Sequence, residues 1–215
     1  MKPNIFFFFL CFAITNLLAS CNIVENDSSQ NITETIAVNR KDSLFKKAAI
    51  AFAYCRKNKM DTTICLLADM KIHSGNFRFF VWNFQTKAII DSGMLSHGCG
   101  KNPWSNTKSK DNPTFSNIDG SHLSSLGKYK ILQRNYSDWG IHVNYSLKGL
   151  ESTNNNAQKR TIVLHSWEDV PETEIYPNGT PEGWGCPAIN NGFMKRLDKL
   201  LQNAKQPVLL WQFYD

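Results

Sequence analysis

Apolar and polar positions along the chain change period several times. An unbroken apolar run, Ile5-Phe6-Phe7-Phe8-Phe9-Leu10-Cys11-Phe12-Ala13-Ile14, opens it, and residues 22–40 carry Asn, Ser, Thr and Glu with no apolar period. From Ser43, placed to cap a helix, Leu44, Ala48, Ala51 and Cys55 recur at i, i+4, i+7 and i+11. That spacing predicts a helix over about 44–58 with Cys55 as a small core hydrophobe. From about residue 62 the pattern changes to strands: Ile64–Ala68, Phe77–Phe84 and Ala88–Ile90. Turn residues His73-Ser74-Gly75-Asn76 and Gln85-Thr86-Lys87 separate them, so the second and third form a hairpin. Lys128–Leu132, Gly140–Leu147 and Thr161–His165 are further strands. A late helix over 191–204 places Phe193, Leu197, Leu200 and Leu201 on its inner side, and Pro207 leads into a closing strand, Val208–Phe213. The fold class is therefore α+β, mainly β, with one preceding and one late helix.

Residues 1–20 read as a leader rather than as fold. Lys2 precedes the apolar run, the run is too short to span a bilayer, and small residues follow it. Leu18-Ala19-Ser20-Cys21 looks like a bacterial lipobox, in which Cys21 is lipidated and becomes the new N-terminus. The plainer alternative is an ordinary signal peptide followed by a coincidental cysteine. The lipobox reading predicts a membrane anchor and a cell-envelope protein facing the periplasm, with the outer membrane favoured over the inner. The expected organisation is a leader (1–20), a tether (21–40), a helix packing on the domain (41–62) and one globular domain (63–215).

Composition narrows the function. With 42% hydrophobic and 20% charged residues the chain is globular. Its net charge of +6 suits an acidic polymer or a membrane surface, but the basic residues are dispersed. No nucleic-acid motif accompanies them, so nucleic acid is not an expected partner. Of six cysteines, Cys11 goes with the leader and Cys21 with the lipid, leaving Cys55, Cys65, Cys99 and Cys186. There is no C-x-x-C and no H-E-x-x-H, so no metal is expected. A Cys55–Cys65 bridge is one option for an exported chain.

The chemically informative segments are Arg160-Thr161-Ile162-Val163-Leu164-His165-Ser166 and Gly183-Trp184-Gly185-Cys186-Pro187-Ala188. The first is an apolar strand ending in a histidine; the second is a cysteine in a glycine-rich turn. A thiol needs a nearby base to be nucleophilic near neutral pH, and a strand end fixes an imidazole. The Gly185-Cys186 turn can also aim backbone N–H groups at one point, as an oxyanion site requires. The residues alone leave two readings open: a catalytic Cys–His pair, or a buried cysteine and a core histidine.

Seven stretches in order resemble the murein L,D-transpeptidase catalytic-domain family, in lipoprotein form, over about 63–214. They are Arg78-Phe79-Phe80-Val81, Ser96-His97-Gly98, Phe115-Ser116-Asn117, Gly120–Tyr129, Leu147–Glu151 with Asn154–Ala157, Arg160–His165 and Gly185-Cys186-Pro187-Ala188. The resemblance implies a β-sandwich or barrel catalytic domain acting on peptidoglycan stem peptides. It implies Cys186 as nucleophile, His165 as base, the Ser166 carbonyl holding the imidazole, and Gly185 beside the oxyanion. An acyl-enzyme on Cys186 would pass to an amine (transpeptidation) or to water, with no cofactor and as a monomer. The expected substrate-binding set is Arg160, Ser96, His97, Gly98, Ser116, Asn117, Ser125 and Trp184.

There are departures. The wider superfamily has Ser/Thr-His-Gly-Cys with an arginine two residues later; here Ala188 stands at that place and Gly183 opens the motif. Recognition of a substrate carboxylate is then expected of Arg160, whose competing role is a structural ion pair. Ser96-His97-Gly98-Cys99 spells the superfamily's cysteine motif, with His73-Ser74-Gly75 upstream, but it comes after too few strands. His122 and His142 are expected on the surface or in the core. The polar stretch 101–112 is a long loop, either a binding loop or an insertion. The competing functions are a wall-binding lipoprotein without catalysis and a zinc hydrolase.

Overall fold

The computed structural model describes residues 42–215. The expected leader, the tether and Cys21 lie outside the described residues. Helix α1 runs over 42–57 of these. Eight strands follow, with helix α2 (Asn191–Asn203) before the last: β1 (Ile64–Asp69), β2 (Phe79–Asn83), β3 (Ala88–Gly93), β4 (Gly127–Tyr136), β5 (Val143–Gly149), β6 (Val163–Ser166), β7 (Ala188–Ile189) and β8 (Leu209–Phe213). All eight form one sheet in the order β3-β2-β1-β8-β4-β5-β6-β7. The two outer strands meet where Leu95, just past β3, bridges to Ile189 of β7 and the Ser96 N–H donates to the Ala188 carbonyl at 2.8 Å. The sheet is thereby a nearly closed barrel, an arrangement that removes exposed edges.

Side chains alternate between two cores because strand residues alternate faces. Leu66, Ala68, Phe79, Val81 and Leu210 join the inner core, into which α2 presses Phe193, Met194, Leu197 and Leu201. Cys65, Leu67, Phe80, Trp82, Leu209, Trp211 and Phe213 face the other way, under Leu44, Ala48, Ala51 and Cys55 of α1. Burial on both faces explains why β1, β2 and β8 read as continuous apolar runs. The Asn190 side chain caps α2 by accepting the Phe193 N–H at 2.7 Å.

The expected elements are present with shifted ends. β5 begins at Val143 rather than Gly140, because Gly140 (φ +60°) and His142 (φ +61°) turn the chain back after β4. β6 begins at Val163 rather than Thr161, whose φ of +53° still belongs to the preceding turn. β4 extends to Tyr136 across an irregularity between Ile131 and Arg134. The Cys55–Cys65 bridge is not formed: both are free thiols buried in the outer core. Burial pushes the Cys55 thiol up to about 12 and Cys65 well above its ordinary value, so both act as small apolar groups.

Candidate active site

β6 and β7 run parallel, with His165 opposite Ala188 and Ser166 opposite Ile189. Cys186, two residues before Ala188, therefore lies at the start of β6. There its Sγ sits 3.5 Å from the Val163 N–H and 3.9 Å from the Thr161 carbonyl. Val163 and His165 share a strand face, being two apart. The thiol and the imidazole accordingly open into one cavity of about 130 Å³, lined by Trp104, Trp139, His165, Trp167, Gly183, Trp184, Cys186 and Ala188.

The imidazole is oriented by its own strand. His165 Nδ1 lies 3.0 Å from the Ser166 carbonyl oxygen. A carbonyl only accepts, so Nδ1 carries the proton and Nε2 keeps its lone pair. The Ser166 hydroxyl accepts the Ile141 N–H at 2.9 Å, tying the end of β6 to the turn before β5. Burial holds His165 below its ordinary value, against the Ser166 hydrogen bond and the Glu168 carboxylate. Burial pushes the half-buried Cys186 thiol up, against the Val163 N–H and the Arg160 guanidinium. The two shifts favour a neutral thiol beside a neutral imidazole.

Gly185 sets the cysteine turn. Its φ of +99° suits only glycine, and a Cβ there would stand 2.5 Å from the Leu123 carbonyl oxygen and 3.2 Å from Arg160 Nη2. Its own carbonyl accepts the Ser124 hydroxyl at 3.1 Å, while Ser124 Oγ accepts the Gly98 N–H at 3.1 Å. The Gly185 and Cys186 N–H groups have no acceptor among the described residues.

Of the expected substrate-binding residues, Trp184 lines the cavity, 62% exposed and stacked on His122 at 5.3 Å. The others form the frame behind it. Arg160 donates from Nη1 to Ser116 O (2.9 Å) and Ser125 Oγ (2.6 Å), and from Nη2 to Leu123 O (2.5 Å) and Ser121 Oγ (3.4 Å). Its guanidinium is thus occupied in bracing the 116–125 loop, which Ser124 in turn ties to the cysteine turn through the Gly185 carbonyl. Ser125 in turn donates to Ser116 O at 2.9 Å. Asn117 donates to Ser152 O and Asn155 Oδ1, at 3.0 and 2.7 Å. Ser96 is buried and donates to Pro181 O at 2.5 Å, and Gly98 bridges to Gly183.

His97 has no exposed surface. Its Nδ1 meets Arg78 Nη2 at 2.8 Å and its Nε2 meets Ser109 Oγ at 2.9 Å. Burial and the Arg78 charge hold it well below its ordinary value, so it is a neutral bridge. Arg78 is itself fully buried, donating to Leu95 O and Ile72 O, with burial lowering it to about 9. Cys99, the sequence's decoy, faces a separate groove of about 750 Å³, and burial raises its thiol. His73 pairs with Asp111 at 3.1 Å and packs on Tyr176.

Sequence reasoning missed three tryptophans that line the cavity with the thiol. Trp104 comes from the polar 101–112 loop, Trp139 from the turn before β5 and Trp167 from just past β6. The available signal was their place beside the expected motifs: Trp167 is two residues after His165. Among the described residues no group of three or more His, Cys, Asp or Glu side chains is arranged to hold a metal.

The helical cell shape determining protein Pgp2 from Campylobacter jejuni is similar at 11% identity over 71% of this chain and 48% of its own, with a TM-score of 0.44. An L,D-transpeptidase from Xylanimonas cellulosilytica is similar at 10% identity over 70% of this chain and 60% of its own, with a TM-score of 0.37. The chain thus spans about half the length of the first and three fifths of the second. No curated protein matches it. The family described as the L,D-transpeptidase catalytic domain matches residues 36–211. With most of its length covered by that match, the chain belongs to the L,D-transpeptidase catalytic domain family.

Proposed function

We propose that the protein is a peptidoglycan-modifying cysteine acyltransferase, with Cys186 as nucleophile and His165 as general base and acid. The observation that carries the reading is that Cys186 lines one cavity with an imidazole whose Nδ1 is held by the Ser166 carbonyl. The superfamily's chemistry then maps onto these atoms. With burial favouring a neutral thiol and a neutral imidazole, the S–H proton moves to His165 Nε2 as the sulfur attacks the stem-peptide carbonyl. The open Gly185 and Cys186 N–H groups are the donors available to the developing oxyanion. The proton then passes from Nε2 to the departing amine of the terminal D-alanine, leaving a thioester on Cys186. An amine from another stem resolves it as a cross-link; water resolves it as a carboxypeptidase product. On the same reading a lipid on Cys21 holds the domain in the envelope, facing the periplasm.

The test is covalent labelling. A carbapenem should add its own mass once to the protein, and Cys186→Ala should abolish the adduct while Cys99→Ala retains it. Disaccharide-tetrapeptide muropeptides should then be converted to dimer or to tripeptide, read by mass spectrometry. An unlabelled parent protein, or a label on Cys99, sinks the proposal.

A further inference from the structure

The cavity shared by the thiol and the imidazole carries more aromatic surface than a Cys–His pair needs. Trp104 stacks on Trp167 with centroids 4.8 Å apart and planes at 27°. Trp139 lies 5.8 Å from Trp104 and 6.3 Å from Trp167. Trp167 is buried, yet Trp104 and Trp139 remain 43% and 44% exposed, and all three line the cavity. No residue lining the cavity carries a permanent charge.

Charge lies at its margins, and it is polarised. On the His165 side, Glu168 acts on the imidazole and accepts the Gly140 N–H at 3.0 Å, which fixes it beside the Trp139 turn. Asp138 and Asp169, both exposed, adjoin Trp139 and Glu168 in sequence. On the other side, past the Trp184–His122 stack, the larger groove is lined by Lys101, Asn102, Ser121 and His122, with no acid among its residues. A carboxylate-rich donor peptide is favoured along the second side and a cation along the first.

We propose that Trp104, Trp139 and Trp167, with Glu168 at their margin, form the acceptor subsite, and that it recognises the acceptor as a primary alkylammonium group. This rests on the acyl-enzyme reading above and deepens it. Aromatic faces attract an ammonium through their quadrupole, and do so more strongly once water is displaced. The aromatic faces and the Glu168 carboxylate at their margin both favour the charged amine, so a proton must leave it before attack. One proton passes from the ammonium to His165 Nε2 and on to bulk water. The neutral nitrogen then attacks the thioester carbon, the C–S bond breaks as the amide C–N bond forms, and the second amine proton reaches the Cys186 sulfur through Nε2. The cavity of about 130 Å³ admits the end of an aminoalkyl chain.

The test uses the whole chain with a tetrapeptide-stem donor and Nα-acetyl-lysine amide as amine probe. The ratio of aminolysis to hydrolysis products is read by mass spectrometry; it does not depend on how fast the acyl-enzyme forms. Trp104→Ala and Trp139→Ala should each lower that ratio fivefold or more, and Trp139→Phe should hold it within about twofold. In the unmodified protein, tetramethylammonium should suppress the ratio while tert-butanol, its neutral counterpart, does not, so the result does not depend on variants that fold. An unchanged ratio with tetramethylammonium, or hydrolysis alone at every amine concentration, overturns the subsite. Absence of a carbapenem adduct on the parent protein overturns instead the reading beneath it.

Discussion

Replacing Arg160 by lysine separates two roles that the sequence leaves tied. Arginine there makes four hydrogen bonds, to Ser116 O, Ser125 Oγ, Leu123 O and Ser121 Oγ, from one planar fork. Lysine keeps the charge but offers a single point of donation, which cannot span the same acceptors. Ser116 O retains the Ser125 hydroxyl as a donor, so the group left bare is the Leu123 carbonyl, beside Gly185. An unsatisfied acceptor costs about 1–3 kcal/mol when fully buried and less at the half-buried Leu123 carbonyl, and losing a charged hydrogen bond costs about 1.5–3 kcal/mol. The expected loss is about 2–4 kcal/mol, a fall in Tm of roughly 5–15 °C for a domain of this size. The cysteine turn should shift with the loop, so that carbapenem acylation slows about tenfold or more. Differential scanning fluorimetry and stopped-flow acylation measure both. If Arg160 instead reads a substrate carboxylate, Arg160→Lys leaves Tm within about 1 °C and raises only KM for the stem peptide. That pattern refutes the brace.

Three further outcomes follow from the same geometry. Acylation by a carbapenem should rise with pH through a midpoint below the ordinary histidine value of 6.5, because burial favours the neutral imidazole and the neutral form is the base; a midpoint near 7 or above contradicts this. Glu168→Gln should move that midpoint lower still, since the carboxylate is one of the groups holding His165 up, and the pH–rate profile reads the shift directly. Gly185→Ala should cost at least about 2 kcal/mol in chemical denaturation, from a left-handed backbone and a Cβ pressed on the Leu123 carbonyl, and should abolish labelling of Cys186; a stable, labelled variant contradicts the turn.

Much of the frame is legible in the chain because burial imposes period. Leu44, Ala48, Ala51 and Cys55 mark the inner stripe of α1, and all four are buried under the sheet. The apolar runs of β1, β2 and β8 are legible as strands but not as two-faced ones, since a run without alternation does not say what covers each side. Hydropathy alone begins two strands too early, at Gly140 and Thr161, because positive φ at Gly140, His142 and Thr161 is decided by the hydrogen bonds of the turns.

The candidate site divides along a similar line. Cys186 and His165 stand out because their chemistry needs a glycine turn and a strand end, and both signals are local. Ser96, His97, Arg160 and Asn117 are equally visible as motif residues, yet the structure commits their polar atoms to other side chains and to backbone carbonyls. A motif records that a side chain is needed, not which way it faces. His97 shows the difference: buried between Arg78 and Ser109, it connects the residue that leads into β2 to the 101–112 loop that carries Trp104. The tryptophans show the converse. Trp104, Trp139 and Trp167 come from three separate loops with no shared spacing, so only the closed sheet brings them to one wall, and the part of the site that would select an acceptor is the part a linear pattern cannot display.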